Sequence, residues 1–157
     1  MNEILEKLQE TFGDRVNVSQ SIDQTVVHVA AAEIVSVVTF LKSQGLRMLI
    51  DLSAVDYLQR EPRFDVVYIL YHLEQRQWLR LLVQVGGEEP QVPSIAHVFA
   101  SANWAERECY DMFGIRFRGH PDLKRILMPD DWQGHPLRKD YPTGHVPVQF
   151  KESPDRR

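Results

Sequence analysis

Two acidic residues on one predicted helix are the first candidates for chemistry. Glu108 and Asp111 lie three residues apart in WAERECYDMF, residues 104–113, and helical side chains at this spacing share a face. Two carboxylates on one face could act as a general acid and base or bind a metal ion. Arg107 can pair with Asp111 four residues later, and further basic residues follow: Arg116, Arg118, Lys124 and Arg125. We therefore expect a structural or interfacial ion network rather than a catalytic pair.

The histidines do not form a zinc-binding pattern. They are distributed along the whole chain: His28, His72, His97, His120, His135 and His145. Their spacings match neither HxxxH nor HExxH. His120 and His135 each precede a proline, which favours an extended backbone over a ligand-bearing helix. We expect no metal site.

The single cysteine, Cys109, limits redox chemistry. One cysteine excludes an intrachain disulfide and is typical of a reducing compartment, and a bound iron–sulfur cluster would need about four thiolates. Cys109 lies on the apolar side of the predicted helix, so we expect a packed thiol rather than a nucleophile. No glycine-rich phosphate loop accompanies the only glycine pair, residues 86–87. The sequence therefore predicts no catalytic, cofactor-binding or metal-binding residue.

Composition argues against two classes of partner. The 157 residues are 43% hydrophobic and 25% charged, as in one globular domain. The net charge of −4 does not favour binding to nucleic acid or to an anionic membrane. The longest apolar run, residues 66–71, is far shorter than the roughly 18 residues that span a bilayer. The acidic N-terminus does not resemble a targeting peptide, so we expect a soluble, untargeted protein.

Hydrophobic periodicity predicts an α+β fold. Helical spacing indicates helices over 2–12 and 32–44, the second ending at Gly45. Strand-like segments are indicated at 16–18, 25–29, 46–55, 64–73 and 78–85. The polar break at 74–77 is short enough for a hairpin. We expect a mostly antiparallel sheet with helices packed on one face, followed by an extended proline-rich C-terminal tail.

Two short helices are predicted before that tail. Ser94 can cap a helix over 95–100. Asn103 can cap the charged helix, with Glu106 three residues later as its capping-box partner. Gly114 is a natural end for this second helix.

The chain divides into two parts near residue 118. Residues 1–118 are predicted to form the globular domain, and 119–157 an extended partner-binding segment. Six of the nine prolines follow Gly119, which prevents a long helix or a central strand. The segment is nevertheless too apolar for a solvated tail. It therefore needs a surface to lie on, either the body of this chain or another protein.

The run ERECYDMFGIRFRGHPDLKRI, residues 106–126, resembles the signature of the C-type subunit of the proton-pumping NADH:quinone oxidoreductase, respiratory complex I. The matching positions are Glu106, Arg107, Glu108, Asp111, Met112, Phe113, His120, Lys124, Arg125 and Ile126. The continuation DWQGHPLRKDYP, residues 131–142, is also typical of that family, and the strand-rich body resembles it more loosely.

The resemblance implies a non-catalytic scaffold in the hydrophilic arm of that complex. Such a scaffold would bind no cofactor itself, while the complex would use FMN, iron–sulfur clusters, NADH and a quinone. Its expected partners are the large hydrogenase-like subunit, designated D, and the cluster-bearing subunit, designated B, at the cytoplasmic face of the plasma (inner) membrane. Membrane association would come only through the complex. The residues expected to contact the partners are His120, Pro121, Trp132, His135, Pro136, Leu137, Arg138, Lys139, Asp140, Tyr141 and Pro142.

Two alternatives remain open at this point. The same scaffold occurs in membrane-bound hydrogenases and in ferredoxin-fed photosynthetic complexes, and this sequence does not distinguish the electron donors. A more remote alternative is a free-standing acid/base or zinc enzyme that uses Glu108, Asp111, His120 and His135.

Overall fold

The computed structural model describes residues 1–21, 24–142 and 144 of the chain. The helices and strands, in chain order, are α1 (Asn2–Phe12), β1 (Val16–Gln20), β2 (Thr25–Val29), α2 (Ile34–Ser43), β3 (Met48–Asp56), β4 (Phe64–His72), β5 (Gln77–Val85), β6 (Gln91–Pro93), α3 (Ala102–Phe113) and β7 (Arg116–Arg118). Five strands form the main sheet in the order β1-β2-β5-β4-β3, and β6 and β7 form a small parallel pair.

The main sheet is mostly antiparallel, as the sequence predicts. β1–β2, β3–β4 and β4–β5 are antiparallel, and β2–β5 is parallel. A mixed sheet with helices packed against it confirms the α+β fold class. Among the described residues, no helix has the length and apolar character needed to cross a membrane.

Alternating apolar residues direct one face of the sheet toward the helices, with one irregularity in β3 between Leu49 and Asp51. In β4, Phe64, Val66, Tyr68 and Leu70 are buried. They belong to one core cluster with apolar residues of all three helices, including Leu8 of α1. Successive side chains of a strand point to opposite faces, so a two-residue period places the whole apolar set on one side. The core therefore lies between this face of the sheet and the helices.

The β4–β5 hairpin confirms the predicted polar break. His72 pairs with Gln77 across the turn, and Arg76 adopts a positive φ of 52° in place of the usual glycine. Gly45 also has a positive φ, 103°, and a Cβ there would collide with the His72 ring. Its place after α2 therefore needs glycine for both conformation and space.

Two predictions for the region before α3 are wrong. Residues 95–100 form turns rather than a helix. The α3 helix begins at Ala102, directly after Ser101, and shows no side-chain cap, so Asn103 is not the N-cap. Glu106 makes no capping box because its carboxylate binds Ser94 and Ile95, which are distant along the chain.

Residues 119–142 form neither helix nor strand, as their prolines predict. They run over α3 and the β3–β4 connection of the same chain, held by the contacts given below. The rest of the predicted 119–157 segment lies outside the described residues, apart from Gly144. His145 is among the residues not described.

Candidate functional site

Asp111 is the centre of the contacts that hold the C-terminal segment on α3. Its side chain is fully buried, and Oδ2 accepts hydrogen bonds from the backbone N–H groups of Ile126, Leu127 and Met128 at 3.0, 2.8 and 2.9 Å. Oδ1 accepts from Arg125 Nη1 at 2.5 Å. Burial alone would raise the pKa of Asp111, but the hydrogen bonds, led by that from Met128, lower it below its ordinary value.

Arg125 extends this contact along the segment. Its Nη2 donates to the carbonyl oxygens of Trp132 and Gly134, each at 2.9 Å. One guanidinium therefore links the end of α3 to two later points of the chain. Charged hydrogen bonds of this kind are stronger than neutral ones, so Asp111 and Arg125 together fix the path of the segment.

Arg107 binds the segment rather than Asp111. Its Nε and Nη2 donate to the carbonyl oxygens of Lys124 and Arg125, at 3.1 and 3.0 Å. The prediction that Arg107 can pair with Asp111 is therefore wrong. Sequence spacing on one helix suggests it, but Asp111 faces the N–H groups of the segment and Arg125 supplies its counter-charge.

The last turn of α3 is capped by the segment itself. The carbonyl oxygen of Asp111 lies 2.9 Å from His135 Nδ1, that of Met112 accepts from the Leu137 N–H at 3.0 Å, and that of Phe113 accepts from Arg138 Nε at 2.5 Å. Helix C-termini leave carbonyls without internal partners. The sequence predicts the helix end at Gly114, which is left-handed with φ 73°, but carries no signal for these partners.

Glu106 joins α3 to the turn after β6. Its carboxylate accepts from Ser94 Oγ at 2.6 Å and from the Ile95 N–H at 2.7 Å. The side chain is fully buried, and burial raises the pKa of Glu106 to about 7 although both hydrogen bonds act to lower it. The buried Tyr68 hydroxyl, whose pKa burial and the Glu106 charge raise, has no hydrogen-bond partner among the described residues.

His120 anchors the start of the segment. Nδ1 accepts from the Asp122 N–H at 3.0 Å, so Nε2 carries the proton and donates to the Asn103 carbonyl at 3.0 Å. Both nitrogens of a neutral ring are therefore occupied. Nε2 lies 4.0 Å from Glu106 Oε2, beyond hydrogen-bonding distance.

A second set of contacts, at Arg63, has no signal in the sequence. Arg63 binds both oxygens of Asp56 at 2.7 Å and both oxygens of Asp140 at 2.8 and 2.9 Å. Asp56 also accepts from the Lys139 N–H at 2.8 Å. Hydrogen bonds from Arg63 are the main reason that the pKa values of Asp56 and Asp140 are lowered. We call the Asp111 and Arg63 contacts together the latch.

The predicted partner-contact residues divide into half-buried and exposed sets. The half-buried ones lie against the body or their own segment: His120, Trp132, His135, Pro136, Arg138 and Tyr141. The exposed ones are Pro121, Leu137, Lys139, Asp140 and Pro142, although the Asp140 carboxylate is turned toward Arg63. Leu127 and Leu137 are 60% and 55% exposed, so large apolar side chains lie on the outer side of the latched segment.

The residues considered for a free-standing enzyme do not form one cluster of side chains, since His135 meets only the main-chain carbonyl of Asp111. Glu108 is exposed whereas Asp111 is buried and fully engaged. Within the described residues, no group of three or more His, Cys, Asp or Glu side chains is arranged to hold a metal ion. Cys109 is buried, as predicted for a packed thiol, and burial raises its pKa far above the ordinary value.

Known proteins of respiratory complexes resemble this chain in sequence. The family model described as respiratory-chain NADH dehydrogenase, 30 kDa subunit, matches residues 27–146. The C-type subunit of the NADH-quinone oxidoreductase of Roseiflexus castenholzii is 45% identical, over 98% of this chain and 90% of its own. The chain therefore belongs to the respiratory-chain NADH dehydrogenase 30 kDa subunit family, and the predicted resemblance is confirmed.

Two solved structures share the fold. A trypsin-resistant fragment of Nqo5 is 30% identical with a TM-score of 0.68, covering 78% of this chain and 98% of the fragment. A chain of an archaeal membrane-bound sulfane sulfur reductase has a TM-score of 0.79 at 20% identity, over 99% and 98% of the two chains. The second likeness concerns the fold alone. With the sequence relatives, these findings make the protein a subunit of an NADH-quinone oxidoreductase complex.

Proposed function

We propose that this chain is a non-catalytic structural subunit of the hydrophilic arm, which supports electron transfer from NADH to quinone by holding the quinone-reducing module together. One observation carries the proposal. Three of the four polar signature residues on the helix, Glu106, Arg107 and Asp111, bind main-chain or side-chain groups of this same chain, and the fourth, Glu108, is exposed. A general acid or base needs a group within reach of a substrate, whereas Arg107 and Asp111 hold residues 124–128 on the helix and Glu106 holds the turn at residues 94–95.

The proposed partners are the large hydrogenase-like subunit and the cluster-bearing subunit, and the proposed contact is the outer side of the latched segment. Leu127 and Leu137 are exposed there, beside the charged Lys139 and Asp140. Apolar anchors surrounded by polar residues are typical of protein interfaces. Because the latch fixes the segment before binding, association requires little further ordering of the chain, which favours affinity.

Under this proposal the chain itself binds no cofactor. The complex supplies FMN, iron–sulfur clusters, NADH and quinone, and this chain lies at the cytoplasmic face of the plasma membrane as a peripheral part. Its association with the membrane comes through the other subunits.

Co-purification tests the proposal. Full-length chain carrying Leu137→Asp is produced in the native complex and compared with Ala32→Asp, which adds the same charge at an exposed turn before α2. We expect Leu137→Asp to reduce recovery of the two partner subunits about tenfold or more, the scale of an interface hot spot, with the control unchanged. Equal recovery of both partners with the two variants would contradict the proposed contact. Recovery of hydrogenase subunits instead would keep the structural role and show that the complex takes its electrons from a donor other than NADH.

A further inference from the structure

The second face of the sheet, opposite the helices, is open and partly apolar. Met48, Val55 and Trp78 on this face are 40%, 40% and 52% exposed. Tyr71 and Trp78 are paired in register and their rings pack with centroids 4.6 Å apart. An exposed indole packed on a half-buried tyrosine, with exposed aliphatic residues on the same face, is typical of an interaction surface.

Arg80 lies in the middle of this face on a central strand. Its register neighbours are Val26 on β2 and Ile69 on β4, so the aliphatic part of the Arg80 side chain lies between two apolar residues. Its Nε is buried and has no hydrogen-bond partner among the described residues. An unpaired donor of a buried charged group is destabilising, and a carboxylate fits the planar fork of arginine best.

A groove of about 690 Å³ opens beside Arg80. Its charged side chains are Arg76 and Arg80, and the rest of its lining is amide, hydroxyl, thioether and apolar: Met1, Asn2, Gln20, Gln24, Thr25, Ile69, Gln77 and Trp78. Neither Arg76 nor Arg80 forms an ion pair with any described residue. Counted over the described residues, the lining of the groove is therefore cationic, on a chain whose net charge is −4.

We propose that this groove is a second docking surface, which receives an acidic segment of a partner subunit. An Asp or Glu side chain of that segment binds Arg80, and a neighbouring apolar residue packs on Trp78. Charge complementarity argues for this occupant, since the groove offers two guanidinium groups without an ion-pair partner beside an exposed indole. The groove shares no lining residue with 119–142. The docking proposal rests on the proposed function only in that the partner is another subunit of the same complex.

Site-specific photo-crosslinking within the purified complex tests the docking surface. A benzophenone amino acid is placed at Trp78, at Leu137 on the latched segment, and at Ala32 as the control. We expect residue 78 to crosslink to a partner peptide that contains Asp or Glu within a few residues of the adduct. Adducts at 137 but not at 78 would overturn this proposal and leave the scaffold role standing, whereas adducts at neither position would overturn both. An adduct of residue 78 with a second copy of this chain would also overturn it.

Charge reversal provides a second test with a graded readout. In a complex without the crosslinker that carries Arg80→Glu, we expect the partner identified by crosslinking to dissociate about tenfold faster during salt washing, with Arg80→Lys intermediate. Arg47→Glu reverses a charge at an exposed position outside the groove and should leave retention unchanged. Equal retention of the partner in the Arg80→Glu and Arg47→Glu complexes, with each chain's thermal unfolding unchanged, would overturn the proposal.

Discussion

Replacing Glu106 with glutamine should remove a pH dependence from the stability of the fold. The carboxyl is fully buried beside Ser94, Ile95 and the ring of His120. Glutamine has the same shape, and its oxygen can accept from the Ile95 N–H while its nitrogen donates to Ser94 Oγ. The substitution therefore removes the ionisation of Glu106 and keeps its contacts.

The magnitude follows from the raised pKa. Burial raises the pKa of Glu106 from its ordinary value near 4.5 to about 7, and each unit corresponds to about 1.4 kcal/mol, so the ionised form is disfavoured by about 3 kcal/mol in the fold. The folded state holds the proton more tightly than the unfolded state. This stability is fully present below pH 4.5 and is lost as the pH rises to about 7.

Denaturant unfolding at a series of pH values between about 4.5 and 8 measures this effect. The free energy of unfolding of the natural chain minus that of Glu106→Gln should fall by about 3 kcal/mol across the window. Taking the difference cancels the other groups that titrate there, such as His135, whose pKa burial lowers. Glu108→Gln, at an exposed position of the same helix, should give a flat difference.

A flat difference for Glu106→Gln as well would refute the reasoning. It would mean that the carboxyl ionises in the fold as easily as in the unfolded chain. A difference that rises with pH would mean that the two hydrogen bonds to Glu106 outweigh its burial. Either result would require a different explanation for the buried carboxyl in the signature.

Two further outcomes test the latch and the core. Asp111→Asn should lower the free energy of unfolding by about 3 kcal/mol, because it removes the ion-pair partner of Arg125, whose side chain is only 14% exposed, and should speed proteolysis within 119–142; equal loss with the exposed Asp122→Asn would contradict the latch. The Cys109 thiol, buried and with a strongly raised pKa, should react with a disulfide reagent at about pH 7.5 only after unfolding. A thiol at exposed Ser36, introduced as Ser36→Cys with Cys109→Ala, should react at once, and equally rapid labelling of native Cys109 would contradict its burial.

The sheet was predictable because its signal is local. Alternation along β4 places its apolar residues on one face whatever the rest of the chain does. The glycine at residue 114 likewise ends α3 through its own backbone conformation. Both features depend on residues that are neighbours in sequence.

The contacts of the signature were not predictable from spacing alone. Asn103 and Glu106 have the spacing of a capping box, but Glu106 binds a turn eleven and twelve residues earlier. Arg63 and Asp140 are 77 residues apart, and no pattern in the sequence joins them. Tertiary contacts compete with local ones for the same polar groups, so the family resemblance named the signature residues without showing what they bind.

The three hydrogen bonds that Asp111 Oδ2 receives come from main-chain N–H groups of residues 126–128. A backbone donor is present whatever side chain its residue carries, proline excepted. Most side chains in this stretch can therefore change without releasing the segment, and Leu127 is already directed outward. A change of partner would need new side chains on the outer side of the segment, while the carboxylate that holds it in place stayed the same.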